Sequence, residues 1–195
     1  ALVEPTPAVP TDEFGVFLAG IGGTGVVTVN QILGMAGALA GYSVKAVDQT
    51  GSSQKAGPVT SHLRIARRHR DGGSRIMAGA ADTLMCFDSL TAAEIVNLAI
   101  ASRERTVLVA NIDAVPTGGT VTDVTREYPQ ADTLLTRLGT VTRPGGHAIA
   151  ALSLSRHLFG NEVAANLIIV GAAYQAGALP LPLAAIEQAI RLNGV

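Results

Sequence analysis

The sequence contains one cysteine and no tryptophan, and aromatic residues fill only 4% of its 195 positions. A lone Cys86 excludes an intrachain disulfide, and it excludes an iron–sulfur cluster ligated by this chain's thiolates alone. It lies in the apolar run Thr83-Leu84-Met85-Cys86-Phe87, the setting of a buried strand thiol. With so few large rings, the core must be built from Ala, Val, Leu, Ile and Gly in closely approaching elements, which favours α/β layers. A net charge of −1 supplies no global field to draw nucleic acid or an anionic membrane. No uninterrupted apolar run reaches the roughly 20 residues of a membrane span, and the N-terminus lacks the basic stretch and apolar core of a secretory signal. A soluble cytoplasmic protein is expected.

The chain starts without Met, and Pro5, Pro7 and Pro10 mark residues 1–13 as a Pro-rich linker. We expect a domain excised from a longer protein, with residues 14–195 forming one α/β domain. Its clearest feature is the stretch Val16-Phe17-Leu18-Ala19-Gly20-Ile21-Gly22-Gly23-Thr24-Gly25-Val26-Val27, a short apolar strand entering a glycine-rich turn and then a helix. Gly20, Gly22 and Gly25 satisfy the G-x-G-x-x-G spacing. Asp48 ends the next apolar run where a ribose-binding acid stands in dinucleotide folds.

Helical spacing of Val26, Val29, Leu33, Ala36 and Leu39 predicts a helix over residues 25–40 ended by Gly41, and residues 44–47 form the second strand. That is a parallel βαβ start. The pattern then departs from a Rossmann half. Residues 48–58 are a polar loop, and in residues 59–66 Val59, Ser61, Leu63 and Ile65 alternate with Thr60, His62, Arg64 and Ala66, as in a strand with one wet face. A basic turn follows at Arg67-Arg68-His69-Arg70, and residues 75–78 return as the antiparallel partner. Further strands are expected at 83–87 and 106–110, with a short one at 117–122. Helices are expected at 92–101, capped by Ser89 or Thr91, at 129–138, at 162–175 capped by Asn161, and from Pro182 to Arg191. Residues 145–148 are too short and glycine-rich to assign. The expected architecture is a three-layer α/β/α domain on a mixed sheet with a β-hairpin insertion.

Each candidate site residue carries two readings. The glycine turn either offers backbone N–H groups and a helix N-terminus to an anion, or is a tight turn in which Gly25 lets the helix approach the sheet. Asp48 either meets a ligand hydroxyl or caps its own turn, and the structural role is favoured. Gln54 and Lys55, in a loop flanked by Gly51 and Gly57, either reach a phosphate or are solvated. His62 and Arg64 share one strand face and either meet a ligand together or belong to packing or an interface. General-base work by His62 needs an orienting partner. The basic turn attracts the phosphates of a ligand or an acidic partner, or is simply hydrated. His147 and His157 have no Cys or carboxylate at ligand spacing, so no metal site is expected.

The segment Gly20-Ile21-Gly22-Gly23-Thr24-Gly25-Val26-Val27-Thr28, followed by Asp48-Gln49-Thr50-Gly51-Ser52-Ser53-Gln54-Lys55-Ala56-Gly57-Pro58-Val59-Thr60-Ser61-His62-Leu63-Arg64-Ile65, resembles the gamma-type domain of 2-oxoacid:ferredoxin oxidoreductases, particularly the indolepyruvate type. The likeness continues through residues 161–171 and the C-terminal helix. Two glycines often follow Ser-Gln-Lys in the family, whereas Ala56 stands first here, a departure that bears on the subgroup. The resemblance implies oxidative decarboxylation of a 2-oxoacid to its acyl-CoA, with thiamine diphosphate, magnesium and iron–sulfur clusters in partner domains and ferredoxin as acceptor. It implies that Gly20, Gly22, Gly23, Thr24, Gly25, Gln54, Lys55, His62 and Arg64 serve assembly, or contacts to CoA or the substrate entrance. The chain lacks the Gly-Asp-Gly plus Asn motif of a magnesium-held diphosphate, so activity requires the partners. The rival expectations are a free-standing Rossmann-like dinucleotide-binding protein and a purely structural interaction module.

Overall fold

A computed structural model describes residues 3–7, 12–51, 57–115 and 128–194. Strand β1 (Glu13–Ile21) leads through α1 (Val26–Leu39) to β2 (Ser43–Thr50), which pairs with β3 (Pro58–Ala66). Then come β4 (Thr83–Cys86), two single turns α2 (Ser89–Ala92) and α3 (Ile95–Leu98), and β5 (Val107–Asn111). The chain continues through α4 (Ala131–Gly139), β6 (His147–Ile149), α5 (Ala151–Phe159), α6 (Ala165–Gln175) and α7 (Leu183–Asn193). The sheet order is β2-β3-β1-β4-β5-β6; β1, β4, β5 and β6 are parallel, and β3 is antiparallel to both β1 and β2. Among the described residues, no helix is long and apolar enough to cross a membrane.

The apolar runs become the central strands because both sheet faces are covered. Val16 and Leu18 point into one core with Val29, Leu33, Ile169 and Ile186, contributed by α1, α6 and α7. Phe17 and Ala19 point into the other with Ala92, Leu134 and Leu138 from α2 and α4. The expected three layers follow. Helix α1 reaches the sheet through its small residues: a Cβ on Gly37 would lie 2.7 Å from Val44 Cγ2. The helix then stops in a Schellman turn, with Gly41 at φ 81° and the N–H groups of Gly41 and Tyr42 donating to the carbonyls of Ala38 and Gly37.

Several expectations change. Strands β1 and β2 do run the same way, but β3 lies between them and takes all their pairing on that side. The hairpin is therefore β2–β3. Residues 75–78 form no strand, because the Ile76 N–H donates to His62 Nδ1 at 3.1 Å rather than to a neighbouring backbone. Nor does β3 have a wet face: as a central strand it buries Ser61 and His62 as well as Leu63 and Ile65. The helix expected over 92–101 is two turns. Buried Asp88 accepts the Thr91 N–H and hydroxyl at 2.8 and 2.7 Å, and extended Glu94 restarts the chain. Asn161 caps only a local turn through the Val163 N–H, so α6 begins three residues later than expected, at Ala165. Helix α5 was not anticipated, and the unassigned segment 145–148 contributes to edge strand β6. The strand expected at 117–122 and the Ser-Gln-Lys loop lie outside the described residues.

One buried charge ties the parallel strands at their starts. Fully buried Asp82, just before β4, accepts the Gly15 N–H at 2.8 Å and two bonds from the Arg105 guanidinium at 2.6 and 3.0 Å. That hydrogen bond raises the Arg105 pKa above its usual value. Arg105→Met leaves the carboxylate with the Gly15 N–H alone. We expect a loss of about 3 kcal/mol, the lower end for a broken buried pair because Arg105 is partly hydrated. Urea unfolding of both forms checks it, and an unchanged midpoint would refute it.

Candidate functional site

The glycine turn stands where β1 ends and α1 begins. The Gly22 N–H donates to the Gly57 carbonyl at 2.9 Å, tying the turn to the hairpin mouth. The Thr24 N–H and hydroxyl both return to the Ile21 carbonyl, at 3.1 and 2.7 Å. Gly25 at φ 80° is the N-cap of α1, without a side-chain cap, and no acidic residue lies in the first turn. A Cβ on Gly20 would stand 2.7 Å from Val26 Cγ2 and 2.9 Å from Phe87 Cβ, and one on Gly25 would overlap the Asn166 amide. Both glycines thus answer to packing. Gly23, at φ 95°, has nothing within 4 Å of a would-be Cβ and leaves its backbone open to a visitor.

Two hollows flank the turn. One, of about 630 Å³, lies outside the carboxyl ends of β1, β4 and β5, between the turn and helices α5 and α6. The chain leaves β1 toward one edge of the sheet and β4 toward the other, so this is the switch point at which open α/β sheets bind ligands. Its floor is fixed by buried Asn111. The Asn111 amide donates to the carbonyls of Phe87 and Asp113, and its Oδ1 accepts the Ala151 N–H at 3.1 Å. Asp113 accepts the Ser153 N–H and hydroxyl at 2.9 and 2.7 Å, which seats the start of α5. On the wall Arg156 donates Nε to Glu162 at 2.7 Å, so the ion pair carries little net charge into the cleft. The second hollow, of about 660 Å³, lies between the start of α1 and the hairpin mouth.

The residues expected to act together are dispersed. Register sets Gly20 opposite Val59, Phe17 opposite His62, and Gly15 opposite Arg64, so β3 runs from the glycine turn to the far end of the sheet. His62 is 1% exposed, packs on the Phe17 ring at 4.8 Å between centroids, and accepts the Ile76 N–H at Nδ1. Its Nε2 therefore carries the proton and faces Gln49 Oε1 at 3.3 Å. Burial, helped by the charge of Arg75, lowers its pKa to about 4. At neutral pH it is a neutral packing group. Arg64 Nε donates to Glu13 at 2.7 Å, in a different hollow. Asp48 lies within β2 and accepts from Asn30 at 2.7 Å and from Ser61 at 2.5 Å, so it joins helix to hairpin rather than capping a turn of its own. Gln54 and Lys55 lie outside the described residues. Asn111 and Asn166 were missed, although Asn111 is the lone amide at the end of an apolar strand and Asn166 stands in the first turn of an apolar helix. Among the described residues, no group of three His, Cys, Asp or Glu side chains could hold a metal ion.

Two outcomes follow from this geometry. Gly20→Ala forces the turn off α1 and Phe87 and should cost about 2 kcal/mol, against about 1 kcal/mol for Gly23→Ala, whose only penalty is its left-handed backbone. Thermal melts rank the two, and a reversed order counts against the packing account. His62 binds its proton more weakly folded than unfolded. Its contribution is therefore complete above about pH 6.5 and falls away as pH drops toward about 4. The stability gap between wild type and His62→Gln, from urea midpoints, should narrow across that window. A constant gap contradicts the neutral buried imidazole.

A family model described as pyruvate ferredoxin/flavodoxin oxidoreductase matches residues 15–193. Among curated relatives, the indolepyruvate oxidoreductase subunit IorB of Thermococcus kodakarensis is 26% identical over 183 residues, covering 93% of this chain and 86% of that one. Among solved structures, the pyruvate oxidoreductase subunit PORC from Thermotoga maritima superposes with a TM-score of 0.64 at 17% identity, covering 93% of this chain and 85% of that chain. The 2-oxoglutarate:ferredoxin oxidoreductase from Magnetococcus marinus, solved with 2-oxoglutarate, coenzyme A and succinyl-CoA bound, gives 0.63 at 14% identity, covering 93% of this chain but 27% of that longer one. The mixed sheet with its antiparallel wedge and the sequence match agree: this chain belongs to the pyruvate ferredoxin/flavodoxin oxidoreductase family.

Proposed function

We propose that this chain is the gamma-type subunit or domain of an indolepyruvate-type 2-oxoacid:ferredoxin oxidoreductase, completing an assembly whose other parts hold thiamine diphosphate, magnesium and iron–sulfur clusters and pass electrons to ferredoxin. The observation that carries the reading is the family match over residues 15–193. The chain's own chemistry agrees with a supporting role. Its one thiol, Cys86, is sealed in β4, where burial raises its pKa. One cysteine cannot supply the ligands of a cluster. The free-standing dinucleotide enzyme loses its basis, since Gly20 and Gly25 answer to packing and Asp48 is engaged by Asn30 and Ser61.

Within the assembly, the cleft beside the glycine turn fits an anionic arm of CoA. The open backbone at Gly23 and the uncapped, acid-free start of α1 present N–H donors. The hollow has the volume of a small-molecule site. Beyond it Leu158, Phe159 and Val163 expose their side chains, the last at 77%, an apolar rim that suits a partner subunit. CoA supplies the thiol that accepts the acyl group; this chain's residues orient it and exclude water.

The test is 2-oxoacid- and CoA-dependent reduction of ferredoxin or a dye by the assembly with and without this chain. Activity should collapse without it, and undiminished turnover would overturn the reading. Gly23→Asp, which sets a carboxylate into the cleft, should raise the KM for CoA by about tenfold, one charge-assisted contact's worth, and leave the KM for the 2-oxoacid unchanged. Equal effects on both would remove CoA from the cleft.

A further inference from the structure

At the end of the sheet away from the glycine turn, where Glu13 of β1 stands opposite Ala66 of β3, a hollow of about 440 Å³ is reached by Arg64, Arg70, Arg75 and Arg105, with Asp12 and Glu13 as its acids. Two of these arginines are fixed. Arg64 is gripped by Glu13 and donates Nη1 to the Gly73 carbonyl, and Arg105 is gripped by buried Asp82. The turn bearing Arg70 is fixed as well, since Lys45 Nζ donates to the carbonyls of Arg70 and Gly72 at 2.6 and 2.7 Å. A basic turn that is merely hydrated has no need of such ties. The other two cations are poorly neutralised. Arg70 Nε stands 3.8 Å from a Glu13 carboxylate already paired with Arg64, and Arg75, which stands between this hollow and the one beside His62, donates to the neutral Gln49 amide at 3.0 Å. Even with Asp82 counted behind Arg105, the arginines outnumber the acids.

We infer that this hollow binds a small polyanion, a ligand carrying two linked phosphate or carboxylate groups, with Arg70 and Arg75 as its principal donors and Arg64 and Arg105 as a fixed cationic wall. Guanidinium forks match the oxygens of phosphate and carboxylate in paired hydrogen bonds, and pre-fixed ones lose little freedom on binding. The volume lies within the range of small-ligand sites. The site shares no residue with the cleft at the glycine turn and does not depend on the role proposed for that cleft.

Calorimetric titration of the 195-residue chain with inorganic pyrophosphate and with citrate, at about 0.15 M salt so that diffuse attraction is screened, decides the matter and separates phosphate from carboxylate. Saturable one-to-one binding of at least one probe is expected. It should weaken tenfold or more in the double variant Arg70→Gln/Arg75→Gln, a loss of about 1.4 kcal/mol or more. Arg67→Gln/Arg68→Gln removes the same total charge from the turn that bears Arg70, at positions that do not line the hollow, and should leave affinity within about twofold of wild type. Equal weakening by both double variants would reduce the effect to general electrostatics and overturn the site, as would the absence of saturable binding to the wild-type chain. Melting curves with and without probe provide a second readout: the probe should raise the wild-type midpoint and leave that of Arg70→Gln/Arg75→Gln unmoved.

Discussion

Strand β3, threaded antiparallel between β1 and β2, is the constraint on which the remaining arrangement depends. A parallel βαβ unit alone would set β2 against β1 and leave their shared edge closed. The wedge forces them apart, turns the segment after Asp48 into a central strand, and demands that its polar residues be satisfied inside the sheet. Ser61 does so through Asp48, His62 through Ile76 and Gln49, and Arg64 through Glu13. Because a strand of nine residues extends roughly 30 Å, the same wedge carries one end of the motif to the glycine turn and the other to the arginine-lined hollow.

The glycine turn is best understood as two devices in one backbone. Gly20 and Gly25 are absent side chains that admit Phe87, Val26 and Asn166, whereas Gly23 is an absent side chain that admits something from outside. The spacing resembles a dinucleotide fingerprint because close helix-to-strand packing and close ligand approach ask for the same residue. Here packing claims two positions and leaves one backbone segment facing a cleft.

Much of the fold was legible because its signals were local. The continuous apolar run of β1, the helical period of α1 and the terminating Gly41 need no tertiary context, and each stands in the structure. What escaped was decided across the chain. The partner of β3 depended on β2 extending through Asp48 to Thr50, residues whose polarity reads as loop. The burial of His62 depended on the Ile76 N–H, fourteen positions away. Asn111 holds the cleft floor through α5, forty positions on, so no spacing rule could single it out. The family likeness pointed to the family, but could not show that His62 is sealed against Phe17 while Arg64 lines a hollow.

The contact between Gly37 and Val44 has a mechanical meaning. With no room for even a methyl group between them, α1 cannot slide over the β2–β3 hairpin without prising the two apart. The helix and the hairpin are therefore packed without clearance at this point. A load applied at the start of α1 falls either on the dihedrals of the glycine turn or on the packed unit of helix and hairpin, whose far end carries Arg64.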